Sequence, residues 1–236
     1  MKRLLLVTVC CVAALAPVPA ADQESPKSAK AALQIFNDFI GTWDGRGDQD
    51  KPRPDLKAGW SETLDWSWRF KGDDAWLVVK IKDGKYYKNG ELRYLTDKKR
   101  YQLTLTDKKN KKQVFTGDYK DEYLTLERVD RDTNETQQIK VNLAGDGARL
   151  IYRFAFKPKG RTVFTKDYVV ALTKEGETLS AAEKKVECII SGGLGTIPVT
   201  YKGVTYHVCC TGCRDAFNEN PEKYIKEYEA KKAGKK

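Results

Sequence analysis

A long alternation of apolar and polar residues, from residue 60 to residue 173, restricts this chain to an architecture rich in β-strands. A period of two is typical of strands with one buried face, because successive side chains point to opposite sides of a sheet. The apolar positions of the first run are Trp60, Leu64, Trp66, Trp68 and Phe70. Further runs have apolar positions at Leu77, Val79 and Ile81, at Tyr101, Leu103 and Leu105, at Ile139, Val141 and Leu143, and at Leu150, Tyr152, Phe154 and Phe156.

Turn-forming residues divide this stretch into short pieces. The turn signals lie at residues 83–84, 89–90, 107–112, 120–121, 131–134 and 145–147. About ten strands in regular succession favour an antiparallel up-and-down barrel, whose closure removes exposed sheet edges. Apolar residues at helical spacing from Leu33 to Ile40 predict a short helix that begins near Ser28. We therefore predict a mainly β domain over residues 28–174, with an N-terminal helix.

Gly41-Thr42-Trp43 precedes the first strand run, and with the strand rhythm it resembles the calycin group of lipocalin-like and nitrobindin-like barrels. The resemblance implies a carrier of a small hydrophobic ligand or a haem protein. No histidine lies within residues 41–173, so a histidine-ligated haem is not expected in the barrel. We expect the interior tryptophans to form a packed core, with a ligand cavity as the alternative.

Every cysteine outside the first 21 residues, and the single histidine of the chain, lie between Cys188 and Cys213. Twenty residues separate Cys188 from Cys209, and three separate Cys209 from Cys213, with Cys210 among them. Two β-prone runs at residues 199–201 and 204–208, separated by a tight turn, predict a hairpin that returns the chain toward Cys188. A helix beginning near Thr211 would place Cys213 in its first turn, where the helix dipole favours thiolate. We therefore predict a small α+β module of hairpin and helices over residues 188–229.

These residues resemble the YHS and TRASH metal-binding modules. The matching segments are Cys188-Ile-Ile-Ser-Gly192, residues 199–206, Cys209-Cys-Thr-Gly-Cys213, Phe217 and Asn220-Pro-Glu-Lys-Tyr224. The resemblance implies binding of copper, zinc or a similar ion, with Cys188, Cys209 and Cys213 at ligand positions. Relatives with four cysteines carry a further cysteine where this chain has Ser191.

The fourth ligand is open between Cys210 and His207. In a strand, His207 and Cys209 would point to one face but would lie about 7 Å apart, too far to share one small ion without a bend. Cys210 is the preferred candidate, and His207 is expected to support the ligands or to face solvent. The predicted metal site is thus Cys188, Cys209, Cys210 and Cys213, for zinc or copper(I).

Residues 1–21 have the pattern of a secretory signal peptide: Lys2-Arg3, an apolar run from Leu4 to Leu15, and small residues before a cleavage site. This predicts a secreted or periplasmic protein. Four cysteines would remain after cleavage, and in an oxidising compartment they could instead form disulfides. Residues 175–187 are predicted to be a helical linker, and residues 230–236 a basic tail.

The net charge of +10 falls to +8 when Lys2 and Arg3 are removed. In an exported chain this charge does not predict nucleic-acid binding, and no second apolar stretch predicts a membrane span in the mature chain. A thiol oxidoreductase using Cys210 and Cys213 lacks the expected βαβ context, so an enzyme is not predicted. The sequence favours an exported metal-binding protein for trafficking or sensing. The alternative is a carrier of a small hydrophobic molecule whose cysteines form structural disulfides.

Overall fold

Ten antiparallel strands close into a barrel in the computed structural model, which describes residues 26, 28–50, 59–176 and 186–234. Each strand pairs with its neighbours in the sequence, and β1 closes the barrel by pairing with both β2 and β10. The predicted mainly β, up-and-down architecture is confirmed. The strands are β1 (Gly41–Gln49), β2 (Trp60–Lys71), β3 (Asp74–Lys82), β4 (Tyr87–Leu95), β5 (Arg100–Asp107), β6 (Lys112–Lys120), β7 (Tyr123–Val129), β8 (Thr136–Ala144), β9 (Arg149–Lys157) and β10 (Thr165–Lys174).

A short helical segment leads into the barrel and packs against it. Helix α1 (Ala29–Leu33) begins next to Ser28, as predicted, is capped by the Ser28 hydroxyl, and continues into a 3-10 helix over Gln34–Phe39. The Tyr101 hydroxyl on β5 donates to the Ala32 carbonyl at 3.0 Å. This bond holds the segment to the barrel wall.

The barrel interior is packed with side chains. The alternation predicted for β2 is confirmed, since Leu64, Trp66 and Trp68 are all buried. One apolar cavity of about 40 Å³ remains beside Trp66, whose indole nitrogen is buried and has no hydrogen-bond partner among the described residues. Ligand pockets usually measure about 300 Å³ or more, so this cavity is too small to hold a hydrophobic ligand of that class.

One turn prediction is wrong. Asn89 and Gly90 lie inside β4, where Gly90 pairs with Val79 on β3 and with Leu105 on β5. The chain has already reversed at Asp83, which adopts a left-handed conformation with φ of 57°. Gly90 faces the interior, where a Cβ atom would lie 2.7 Å from a methyl group of Leu105. The glycine therefore makes room for a neighbouring core residue.

The predicted C-terminal hairpin and helices are also confirmed. Strands β11 (Ile197–Tyr201) and β12 (Val204–Val208) form the hairpin, and α2 (Thr211–Glu219) and α3 (Pro221–Ala233) follow it. Helix α3 thus includes the first residues of the predicted basic tail. The predicted signal peptide and residues 177–185 of the predicted linker lie outside the described residues. None of the described helices has the length and apolar character needed to cross a bilayer.

Candidate metal centre

Cys188 lies in a tight loop that precedes the hairpin. Its main-chain nitrogen donates to the Gly193 carbonyl at 2.7 Å, and its carbonyl accepts from Gly192 at 2.9 Å. The next residue, Ile189, donates its N–H to the carbonyl of His207 on β12 at 2.9 Å. The loop is therefore fixed against the strand that leads into the other cysteines.

Cys209, Cys210 and Cys213 lie where β12 turns into helix α2. Cys210 is the N-cap residue of that helix, and Cys213 occupies its first turn, as predicted. The sulfur atoms of Cys188, Cys209 and Cys213 all lie within 4.8 Å of one another, and those of Cys209 and Cys213 are 3.5 Å apart. The turn and the helix start thus bring sulfurs from distant parts of the sequence into one group.

This sulfur group has dimensions that suit a thiophilic metal ion. Bonds of about 2.3 Å from a tetrahedral ion to sulfur place the sulfurs about 3.8 Å apart. All four cysteines are buried, and none of them forms a disulfide in the structure. The donor set therefore fits an ion bound by thiolates, and its type excludes calcium and magnesium, which prefer oxygen.

The cysteines differ in how readily they lose a proton. Hydrogen bonds with Cys209 and then Cys213 lower the pKa of Cys188, and the same two partners lower the pKa of Cys210 to about 3. The hydrogen bond to Cys188 raises the pKa of Cys209, and burial raises the pKa of Cys213 well above its usual range. Binding of a metal by Cys209 and Cys213 would therefore displace protons.

Cys210 has a different set of contacts from the other three cysteines. Its sulfur lies 3.9 Å from that of Cys209 and outside the group that shares mutual distances within 4.8 Å. It accepts a hydrogen bond from the main-chain N–H of Trp68 on β2 at 3.3 Å. This sulfur contacts the barrel as well as the cysteine group.

His207 lies outside the sulfur group. It pairs with Pro198 across the hairpin, and its Cβ atom lies 2.7 Å from the position that a Cβ on Gly195 would take. Its carbonyl, rather than its ring, serves the site by holding the loop of Cys188.

Ser191 is fully buried beside the sulfurs. Its Oγ lies 3.3 Å from the sulfur of Cys209, and its main-chain N–H donates to the sulfur of Cys188 at 3.4 Å. The sequence drew attention to Ser191 only as a substitution for cysteine. The structure shows that its hydroxyl contacts the cysteine group directly.

The barrel supports the cysteine loop through side chains that no sequence pattern had singled out. The amide of Asn37 donates to the Ser191 carbonyl at 3.0 Å and accepts from the Trp68 indole N–H at 3.1 Å. Gln34 donates to the same carbonyl at 2.9 Å. Because both residues belong to the 3-10 helix next to the barrel, the position of the loop depends on the barrel.

A groove of about 390 Å³ reaches the cysteine group from solvent. Cys209 lines it together with Asn37, Thr42, Lys174 and Thr196. Of the cysteines, it is Cys209 that this groove approaches.

The fold and the site thus define the class of protein: an antiparallel barrel with a small cysteine-bearing module docked on it. Residues 197–228, which cover β11, β12, α2 and most of α3, match the YHS domain family. The resemblance noted in the sequence is confirmed over this part of the chain, and the barrel is consistent with a calycin-like fold. No curated protein matches the chain.

Proposed function

We propose that this chain is an exported protein that binds a copper or zinc ion through Cys188, Cys209 and Cys213, and that it serves in trafficking or sensing of that ion. One observation carries the proposal: three sulfurs from separate segments lie within 4.8 Å of one another in a buried group. The match to the YHS domain supports it. Export rests on the predicted signal peptide of residues 1–21.

The proposed role is binding and release rather than catalysis. Cys188 and Cys213 are almost fully buried, whereas Cys209 lines the groove. A donor molecule that enters this groove could exchange ligands with Cys209 first, while the other two sulfurs keep the ion in place. This arrangement suits the transfer of a bound ion without its release into water.

Metal content of the reduced chain tests the proposal. We expect about one equivalent of copper(I) or zinc after anaerobic loading and gel filtration, measured by elemental analysis together with a count of free thiols. The triple variant C188S/C209S/C213S should retain none. The variant S61C, which adds a thiol on the exposed side of β2, is the control and should bind as the unaltered chain does. Absence of uptake by the reduced chain, or full uptake by the triple variant, would contradict the proposal.

A carrier of a small hydrophobic ligand remains the competing function. It requires room inside the barrel, where the apolar cavity measures about 40 Å³, and it assigns the cysteines to disulfides. Protein isolated from its native compartment distinguishes the two. Two intact disulfides without metal would favour the carrier, whereas metal near one equivalent with free thiols would favour the metal-binding function.

A further inference from the structure

We propose that the Ser191 hydroxyl, and not the Cys210 sulfur, occupies the fourth corner of the cysteine group, so that the site is a three-thiolate centre that selects copper(I) over zinc. This inference rests on the proposed metal-binding function and specifies its ion. It follows from the contacts of Ser191, from those of Cys210 and from the ligand preferences of the two ions.

Ser191 is held in place from several sides. Its hydroxyl, 3.3 Å from the sulfur of Cys209, accepts a hydrogen bond from the N–H of Gly193 at 3.3 Å. With this lone pair engaged, the hydroxyl proton can be donated to the sulfur of Cys209. Its carbonyl is held by Gln34 and Asn37, so the backbone that carries the hydroxyl is fixed beside the sulfurs. The fourth corner is therefore filled by a donor of a hydrogen bond to sulfur.

Cys210 is held away from that corner by the barrel. Strand β1 pairs with β2 only as far as Trp66, so the N–H of Trp68 has no strand partner on that side. The Cys210 sulfur accepts this N–H at 3.3 Å. If Cys210 moved to join the other sulfurs, a buried backbone donor would lose its partner, which is unfavourable. The role of Cys210 is to accept the hydrogen bond of the Trp68 N–H at the end of β2.

The two ions respond differently to three thiolates and a hydroxyl. Zinc in closed structural sites takes four ligands from cysteine, histidine and carboxylate side chains, and a neutral serine hydroxyl is a poor substitute for the fourth. Copper(I) is a soft ion that is satisfied by three thiolates in a plane. Hydrogen bonds from the N–H and the hydroxyl of Ser191 to two of the sulfurs stabilise the negative charge of such a centre. The arrangement therefore favours copper(I).

Two single variants of the full chain separate the roles of Ser191 and Cys210. S191C supplies a fourth thiol at the corner, and C210S removes a sulfur while keeping an acceptor for the Trp68 N–H. Copper(I) and zinc affinities are measured by competition with chromophoric chelators. Sulfur neighbours of the bound copper are counted by X-ray absorption, and cobalt(II) absorption reports the number of thiolates in the divalent site.

We expect three sulfurs around copper(I) in the unaltered chain and in C210S, with copper(I) affinities that differ by less than the roughly tenfold that marks the loss of a residue supporting a metal ligand. S191C should raise the zinc affinity by at least about tenfold, the scale on which changes next to a metal site act. Its cobalt(II) spectrum should become that of a tetrahedral four-thiolate site.

Four sulfurs around the ion in the unaltered chain, falling to three in C210S, would overturn the inference, and so would a zinc affinity that S191C leaves unchanged. These results would leave the proposed metal-binding function intact. Failure of that function has a different signature, since neither ion would then bind to the unaltered chain or to S191C.

Discussion

Gly212 is the residue that lets the cysteine turn reach the barrel. A Cβ atom at this position would lie 1.7 Å from the carbonyl oxygen of Trp68 and 2.7 Å from a guanidinium nitrogen of Arg69. Only a residue without a side chain allows the start of α2 to lie directly against β2. The geometry of Cys210 and Cys213, on either side of Gly212, depends on this close approach.

Gly212→Ala should destabilise the chain by about 1–3 kcal/mol, because the added methyl group forces helix and strand apart. The measurement is urea unfolding followed by tryptophan fluorescence. Gly234→Ala is the matched control, since Gly234 has φ of −77° and a Cβ there would lie 3.6 Å from the carbonyl oxygen of Ala230, an ordinary contact distance. Equal stabilities of the two variants would show that the contact between α2 and β2 is looser than the structure indicates.

Asn37→Asp should weaken both stability and metal binding. The carboxylate can still accept from the Trp68 indole, but it cannot donate to the Ser191 carbonyl and is repelled by it. Loss of this bond should cost about 1–3 kcal/mol in urea unfolding. Asn89→Asp, at an exposed position of β4, introduces the same change without such partners and should have little effect. The proposed coupling between loop and barrel would be refuted if both variants bound copper(I) equally well.

Strand β2 is longer than its partner on one side, and the module occupies the space that this leaves. Residues 67–71 extend beyond the last pair with β1, while their pairing with β3 continues to the turn. The module covers this free edge with the Cys210 sulfur and the main chain around Gly212. The edge and the cysteine turn thus form one structural unit.

The sequence predicted strands from the alternation of apolar and polar residues, and it predicted α1 from apolar residues at helical spacing. It could not show where β1 stops pairing with β2. The separate role of Cys210 depends on that point, because the N–H of Trp68, which has no partner on β1, donates a hydrogen bond to the Cys210 sulfur.

The sequence also predicted a turn at Asn89-Gly90, because this dipeptide is typical of hairpin turns. The glycine is explained instead by the position of Leu105, which leaves no room for a Cβ atom at residue 90. Glu62 was also missed, although it falls on the inward face of β2, where it accepts from Trp60 at 2.7 Å.

Two buried tyrosines should make the stability of the chain sensitive to alkaline pH: Tyr101, whose hydroxyl bonds β5 to α1, and Tyr87 on β4. Burial raises the pKa of Tyr101 to about 12 and that of Tyr87 to about 12. An unfolded tyrosine ionises near its ordinary pKa of about 10, so stability is complete below that pH and is lost as pH rises through 12. Tyr87→Phe/Tyr101→Phe should be less stable at pH 8 but should lose less stability between pH 10 and 12.

Urea unfolding at several pH values checks this expectation. Tyr123→Phe, at a tyrosine that is more than a third exposed, is the control and should keep the alkaline slope of the unaltered chain. An unchanged slope in the double variant would mean that other groups control alkaline unfolding.

At the scale of the whole molecule, the buried core runs from the barrel into the module without interruption. Trp68 stacks on Phe70 with ring centroids 5.5 Å apart, and Phe70 meets Tyr224 of α3 at 6.5 Å. Lys223 of α3 forms an ion pair with Asp73 at the turn after β2. We therefore expect the barrel and the module to unfold together.

Ion binding should then stabilise the barrel although no barrel side chain is proposed as a ligand. Free copper(I) at about 100 times the dissociation constant should add about 2.7 kcal/mol to the free energy of unfolding. Tryptophan fluorescence reports mainly on the barrel, and circular dichroism at 222 nm reports the helices. Both should shift by the same amount, and neither should shift in C188S/C209S/C213S. A shift confined to the helical signal would show that the two parts unfold independently.

The end of β2 that the module covers has a consequence for chains that lose the module. A strand with unsatisfied backbone groups is a template on which another polypeptide can add, and proteins usually shield such strands. Here the shield is built from the chain's own cysteine turn. Proteolytic removal of everything after residue 187 would expose the unpaired backbone groups at this end of β2. The truncated barrels should therefore self-associate at concentrations where the intact protein stays dispersed.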